Sequence, residues 1–298
     1  MPAWKHAGKF FVLIELLTKG MKARRWPKLV VLSGVLLASA MVQAQTRDEL
    51  RTRPANSISA RLDSFVNWDY RHRKKLKGWQ TTAFVIQRTL SEWYPAGHSS
   101  ALLVENQPAV ELPKFLSALP TRRDCHFSLV YLASHQSPAG EWDFTQRRIE
   151  LLCDLVAQAQ PAEHPQRIVI LDACFAAAVQ REPKWTAAFP GVCLFSSLPS
   201  EVTPELNFRD RQPVDLSRRY PATAAWLRES LGEKWDGRIS FLGFVWTQCF
   251  LATKTPPNEV ADWIRFAKQC EAFAAEFRKN VSRRCSSTLV ISEAGETL

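Results

Sequence analysis

The sequence predicts an α/β protein built on a mostly parallel, six-stranded sheet with helices on both faces. Six short apolar runs punctuate the chain, most of them unbroken by charge, as strands covered on both faces require. Helix-like stretches separate several of them, and strand–helix alternation implies crossovers between parallel neighbours. With 46% hydrophobic residues and 11 Trp in 298 positions, the chain can bury the core that such layers need.

Residues 1–44 form an N-terminal extension and signal peptide. From Met21, "MKARRWPK" is a basic leader and "LVVLSGVLLASAM" an apolar core. "VQA" then places compact side chains before Gln45, so cleavage is expected after Ala44. The apolar run is short for a membrane span. Export to a secreted or periplasmic location follows, with membrane contact only through this segment. The same residues absorb most of the charge: the formal net is +10, and seven Lys/Arg against one acid in residues 1–44 account for six of it. One tight basic cluster remains, "RHRKKLK" (Arg71–Lys77). It gives no sustained basic face, so a nucleic-acid partner is not expected. Taken as a surface-binding element, it would show salt-dependent binding to polyanions.

Residues 45–78 are polar and without periodicity, a linker or pro-region, and residues 79–298 form the folded domain. "TTAFVIQ" (Thr81–Gln87), "SALLVEN" (Ser100–Asn106), "FSLVYLA" (Phe127–Ala133), "RIVILDA" (Arg167–Ala173), "GVCLFSS" (Gly191–Ser197) and "STLVIS" (Ser287–Ser292) are the expected strands. Helices are expected at Ala109–Leu119, with Pro113 in its first turn, and at Gln146–Gln160, where Ile149, Leu152, Cys153 and Val156 share a face. The stretch Phe175–Phe189 is expected to be helical and broken by Pro183. Leu198–Pro221 is long, charged and proline-bearing, a surface loop. Arg238–Thr253 and Glu259–Lys279 complete the helices.

Seven cysteines, Cys125, Cys153, Cys174, Cys193, Cys249, Cys270 and Cys285, leave at least one thiol unpaired in an oxidising compartment. Up to three disulfides are open to the rest, and the sequence does not choose among the pairings. Cys153 and Cys193 sit in apolar patterns that suit buried thiols. No CxxC is present, and neither metal nor cofactor is expected.

The chemistry concentrates in "LVYLASHQSPAGEW" (Leu129–Trp142) and "RIVILDACFAAA" (Arg167–Ala178). Ligands of a parallel sheet bind beyond the carboxyl ends of its strands. His135 follows the third run and Cys174 the fourth, so neighbouring strands would deliver both side chains to one crevice. A thiol attacks as thiolate, and an imidazole together with helix N-terminal amides favours that state; the amides after Cys174 could also receive an oxyanion. Asp172, two residues before Cys174, shares its face and would attract a basic side chain. Alone, each residue has a plainer role: a packed cysteine, a hydrogen-bonded histidine, a helix-capping aspartate. Their conjunction at one sheet edge is what argues for a site.

These two motifs resemble those of the caspase-like clan of cysteine peptidases, which includes caspases, metacaspases and legumains. There, one strand ends in a His motif and the next in hydrophobics followed by an acidic or amide residue, a small residue and Cys. "LLVENQPAVELPKFLSAL" resembles the clan's second strand and helix, "CLFSSLPSEVTPE" its fifth strand, and "SSTLVIS" its sixth. The resemblance spans about residues 79–293 and implies a three-layer sandwich. It implies His135 as general base and acid, Cys174 as nucleophile, and the amides of Gln136 and Cys174 as oxyanion donors. It further implies Asp172 and Ser197 in a pocket for a substrate Arg or Lys, and peptide or protein substrates; the sequence leaves open whether two copies pair through the sheet edge. Self-cleavage at Arg71–Lys77 or Arg218–Arg219 is a secondary expectation. The chain departs from the pattern at Gln136, where the clan usually has Gly, and at "FAAA", where Ser-Gly is common. Both departures suit the alternative, a non-catalytic module that binds a peptide or protein in the same cleft.

Overall fold

The computed structural model describes residues 58–68, 77–95, 97–99, 102–121, 124–143, 150–209, 215–233, 235–280 and 288–292. The expected signal segment, its cleavage point, Arg71 to Leu76 of the basic run, and Cys285 lie outside them.

The chain enters the sheet earlier than the sequence suggests. Strand β1 (Ala60–Val66) falls within the segment expected as a linker. Arg61 and Asp63 interrupt its apolar pattern and conceal it. The strand is nonetheless buried along almost its whole length, and the two charges meet at 2.9 Å. The run Thr81–Gln87, expected as the first strand, lies instead inside helix α1 (Gly78–Trp93). A short apolar block cannot separate strand from helix by itself. The longer pattern can: Trp79, Thr82, Ala83, Ile86, Leu90 and Trp93 are buried at helical spacing, while Phe84 faces solvent.

From there the expected order holds. Strands β2 (His98–Ser99) and β3 (Leu103–Glu105) lead through a 3-10 turn into α2 (Leu112–Ser117), with Pro113 in its first turn, and then β4 (Phe127–Ala133). Next, β5 (His135–Gln136), β6 (Glu141–Asp143) and β7 (Glu150–Leu151) make a separate three-stranded sheet. Helix α3 (Leu152–Ala159) covers the second half of the helix expected over 146–160. Strand β8 (Arg167–Asp172) is followed by a 3-10 stretch, Ala176–Arg181, and by α4 (Pro183–Ala188), so Pro183 divides this segment as expected. After β9 (Val192–Phe195), the stretch expected as loop contains β10 (Glu205–Asn207) and α5 (Leu216–Arg219). Helix α6 (Pro221–Leu231) and β11 (Arg238–Ser240) follow, and β11 pairs antiparallel with β10. Helices α7 (Phe241–Ala252) and α8 (Val260–Asn280) precede the last strand, β12 (Val290–Ser292).

The main sheet runs β12-β9-β8-β4-β1, with β2 and β3 lying one after the other along the far side of β1. Among the described residues, seven strands thus fill six positions, parallel throughout except for β12. Alternate residues face opposite layers. Leu129, Tyr131, Ile168 and Ile170 pack with α1, α6, α7 and α8, while Val130, Leu132, Val169 and Leu171 pack with α2, α3 and α4. The first layer is rich in rings: Trp93 meets Trp263 edge-on at 5.7 Å and Trp246 meets Phe266 at 4.8 Å, a geometry that adds to plain burial. The result is the three-layer α/β sandwich the sequence predicts.

Candidate active site

Strands β4 and β8 are paired in register, with Ala133 opposite Asp172. The chain continues two residues past each partner to reach His135 and Cys174. Adjoining parallel strands therefore deliver the imidazole and the thiol to the same carboxyl edge of the sheet.

After β4 the chain turns into the β5–β6 hairpin, closed by Ser137–Glu141 with Gly140 at φ +79°, a conformation that favours glycine. His135 is half-buried in β5, and its ring meets the Trp79 indole edge-on at 5.4 Å. Gln136 adopts ordinary extended backbone opposite Trp142, so no glycine is needed there. Its side chain turns inward: the Trp142 indole donates to Oε1 at 3.1 Å, and Nε2 donates to the Phe175 carbonyl at 3.0 Å. Gln136 thereby ties the histidine hairpin to the segment that carries the cysteine.

Cys174, 6% exposed, sits between β8 and the 3-10 stretch. Unusual backbone appears one residue later, where Phe175 holds φ +56°, a conformation that costs a non-glycine residue energy unless its surroundings hold it. The neighbouring loop does so. The Phe175 N–H donates to the Glu201 carbonyl at 2.7 Å, Ala176 N–H to Ser197 Oγ at 2.9 Å and Ala177 N–H to the Ser197 carbonyl at 3.0 Å. Beneath Cys174, the Ala173 carbonyl has three hydroxyls around it: Ser197 at 2.9 Å, Thr203 at 3.0 Å and Ser196 at 3.1 Å. Three expectations change here. The amides of residues 175 to 178 are all engaged within the protein, so they are not the oxyanion donors, and a short 3-10 turn replaces the expected α-helix. Ser197, expected to line the substrate pocket, is fully buried and spends its hydroxyl on the cysteine loop.

Asp172 is fully buried on the α1/α7 side of the sheet. Its Oδ2 accepts the Ser240 hydroxyl at 2.5 Å and the Tyr131 hydroxyl at 2.9 Å, while Oδ1 has no hydrogen-bond partner among the described residues. Desolvation pushes this carboxyl up to about 6, and the donors around it, Ser240 and Tyr131 foremost, hold the rise back. Thr82 supports Ser240 at 2.8 Å, and α7 approaches closely enough to make this contact because residue 243 is glycine: a Cβ there would lie 2.3 Å from Thr82 Oγ1. The Glu205 carboxylate caps the start of α1 at the Gly78 N–H, 2.7 Å away, and so fixes Trp79 between the Asp172 network and His135. Of these residues, sequence reasoning finds Asp172 and misses Trp79, Thr82, Tyr131, Ser240, Ser196 and Thr203. The paired serines closing β9 are the one local signal for the hydroxyl cradle.

Fold and site together define a class: a three-layer α/β protein that brings a thiol and an imidazole past the ends of neighbouring parallel strands. No protein-family model matches the sequence, and no curated protein matches it. Among solved structures the chain is similar to caspase-1 from Spodoptera frugiperda, at 14% identity over 80% of this chain and 86% of that one, with a TM-score of 0.47.

Proposed function

We propose that this chain is an exported cysteine endopeptidase that cleaves after Arg or Lys. The observation that carries the reading is the β4–β8 register, which sets His135 and Cys174 at equivalent positions beyond adjoining strands. In the proposed reaction His135 takes the thiol proton, the Cys174 sulfur attacks the scissile carbonyl, and the amine leaves with the proton returned by His135. Water then hydrolyses the thioester. The main-chain N–H groups of Cys174 and Gln136 are the proposed oxyanion donors. Asp172, buried with one oxygen unpartnered among the described residues, is the proposed counter-charge for the substrate cation.

Fluorogenic peptides with Arg, Lys, Asp or Leu before the scissile bond test this. Turnover confined to the basic pair, and lost in Cys174→Ala, is expected. An intact fold with no turnover on any of them, and no selective alkylation of Cys174, instead supports the non-catalytic peptide-binding module. The inward lock of Gln136 onto Phe175 is the observation that favours this second reading. Export is tested by the mature N-terminus, expected at Gln45.

A further inference from the structure

Glu201 stands at a junction that neither the dyad nor the basic pocket uses. Its carbonyl accepts the N–H of Phe175, the residue after Cys174 that holds φ +56°, at 2.7 Å. Its carboxylate reaches the other way. Oε2 accepts the Thr288 N–H at 2.7 Å, and Oε1 takes the Thr288 hydroxyl at 3.1 Å and the Arg278 guanidinium at 2.9 Å. Arg278 belongs to the last turn of α8, and Thr288 lies two residues before the antiparallel edge strand β12. One residue therefore joins the nucleophile's backbone to the outer edge of the sheet.

A charge-assisted cluster of this kind is stronger than a neutral hydrogen bond, and it holds the 198–203 loop against two elements made late in the sequence. The same loop supplies the Phe175 acceptor, and its Thr203 hydroxyl reaches the Ala173 carbonyl. The peptides on both sides of Cys174 are thus held from one anchored strip. Misplacing a nucleophile by a fraction of an ångström costs rate rather than affinity.

We infer that Glu201 is a positioning residue for Cys174, through which the β12 edge fixes the geometry of the nucleophile. The inference rests on the peptidase reading for its kinetic consequence and on hydrogen exchange for an independent one. Glu201→Ala is expected to lower kcat about ten-fold or more with KM unchanged, and to speed exchange at the Phe175 amide while β4 and β8 amides keep their protection. Glu201→Gln, which keeps an acceptor for the Thr288 N–H, should restore most of both. Unchanged exchange at Phe175 overturns the inference. So does faster exchange throughout the sheet, which would make Glu201 an ordinary stabilising contact. Local exchange that responds in a protein with no turnover leaves the positioning role standing and removes the peptidase reading instead.

Discussion

The β4–β8 pair carries a cysteine and a histidine at both of its ends, and the proposed reaction uses only the carboxyl end. At the amino end, Cys125 Sγ lies 3.7 Å from His164 Nε2; at the carboxyl end stand His135 and Cys174. Both pairs are separated by 39 residues because the strands keep one constant register, Ser128 opposite Arg167 and Ala133 opposite Asp172. The chemistry differs in what surrounds them. The Gln166 N–H donates to His164 Nδ1 at 3.2 Å, so the proton of the neutral ring sits on Nε2, facing the Cys125 carbonyl at 3.1 Å. That imidazole has no lone pair to offer the sulfur, and desolvation pushes the Cys125 thiol up to about 11. A cavity of about 610 Å³, lined by His164, Arg167, Lys184 and Phe189, also lies at this end. A thiol beside an imidazole, even next to a spacious groove, does not by itself make a site. Tautomer, strand polarity and the loop that holds the sulfur decide.

The comparison is broken most directly by exchanging which thiol is removed. Cys174→Ala should reduce kcat/KM by about 10³-fold or more, whereas Cys125→Ala should leave it unchanged. Iodoacetamide at pH 7, followed by peptide mapping, should label Cys174 and spare Cys125, Cys153 and Cys193, the last two also pushed up, to about 12, by burial. Equal labelling of Cys125 and Cys174 would erase the distinction between the two ends.

Smaller effects sharpen the carboxyl end. Asp172→Asn should lower the preference for Arg over Leu before the scissile bond by about 10²-fold. Affinity of the wild type for a guanidinium inhibitor should rise about ten-fold per pH unit below pH 6 and level off above it, as linkage to a carboxyl near 6 requires. The same carboxyl affects stability with a definite sign. Its folded value is raised, from 3.8 to about 6, so between those values the folded chain holds a proton that the unfolded chain releases. Stability should therefore fall as pH rises through this window, by about 3 kcal/mol at most. Urea titrations at pH 4 and pH 7.5 should show this loss in the wild type and not in Asp172→Asn. Gly243→Ala should cost about 1–3 kcal/mol by driving α7 away from Thr82; a melting temperature within error of the wild type would mean that the close approach is unimportant.

Strands β4 and β8 were the most legible part of the molecule, because they are buried on both faces and their centres, Leu129–Ala133 and Ile168–Leu171, are unbroken apolar runs. Strand β1 was illegible for the opposite reason. Its Arg61 and Asp63 neutralise one another in the fold, and a sequence pattern shows two charges without showing that they are paired. Helix α1 was misread because Ala83–Ile86 is apolar on consecutive positions, one of which, Phe84, is exposed. Within the site, His135, Cys174 and Asp172 could be proposed because each ends or follows a recognisable run. The residues that set their environment come from far away: Trp79 and Thr82 from α1, Ser240 from the start of α7, Glu201 and Thr203 from the loop after β9. Tertiary packing alone brings these together, and no local spacing encodes it.

Strand β1 also sets a timetable. Among the described residues it is the first strand of the sheet to be synthesised, yet each of its residues pairs in β4 with one 67 positions further along, Ala60 with Phe127 through Val66 with Ala133. At translation speeds of roughly 5–20 residues per second, this buried ribbon waits several seconds for β4, longer if the chain must first cross a membrane. Such delayed, non-local closure predicts slow refolding and dependence on a holding chaperone, and a truncation placed downstream of Ser59 is expected to give an unfolded polypeptide rather than a trimmed fold.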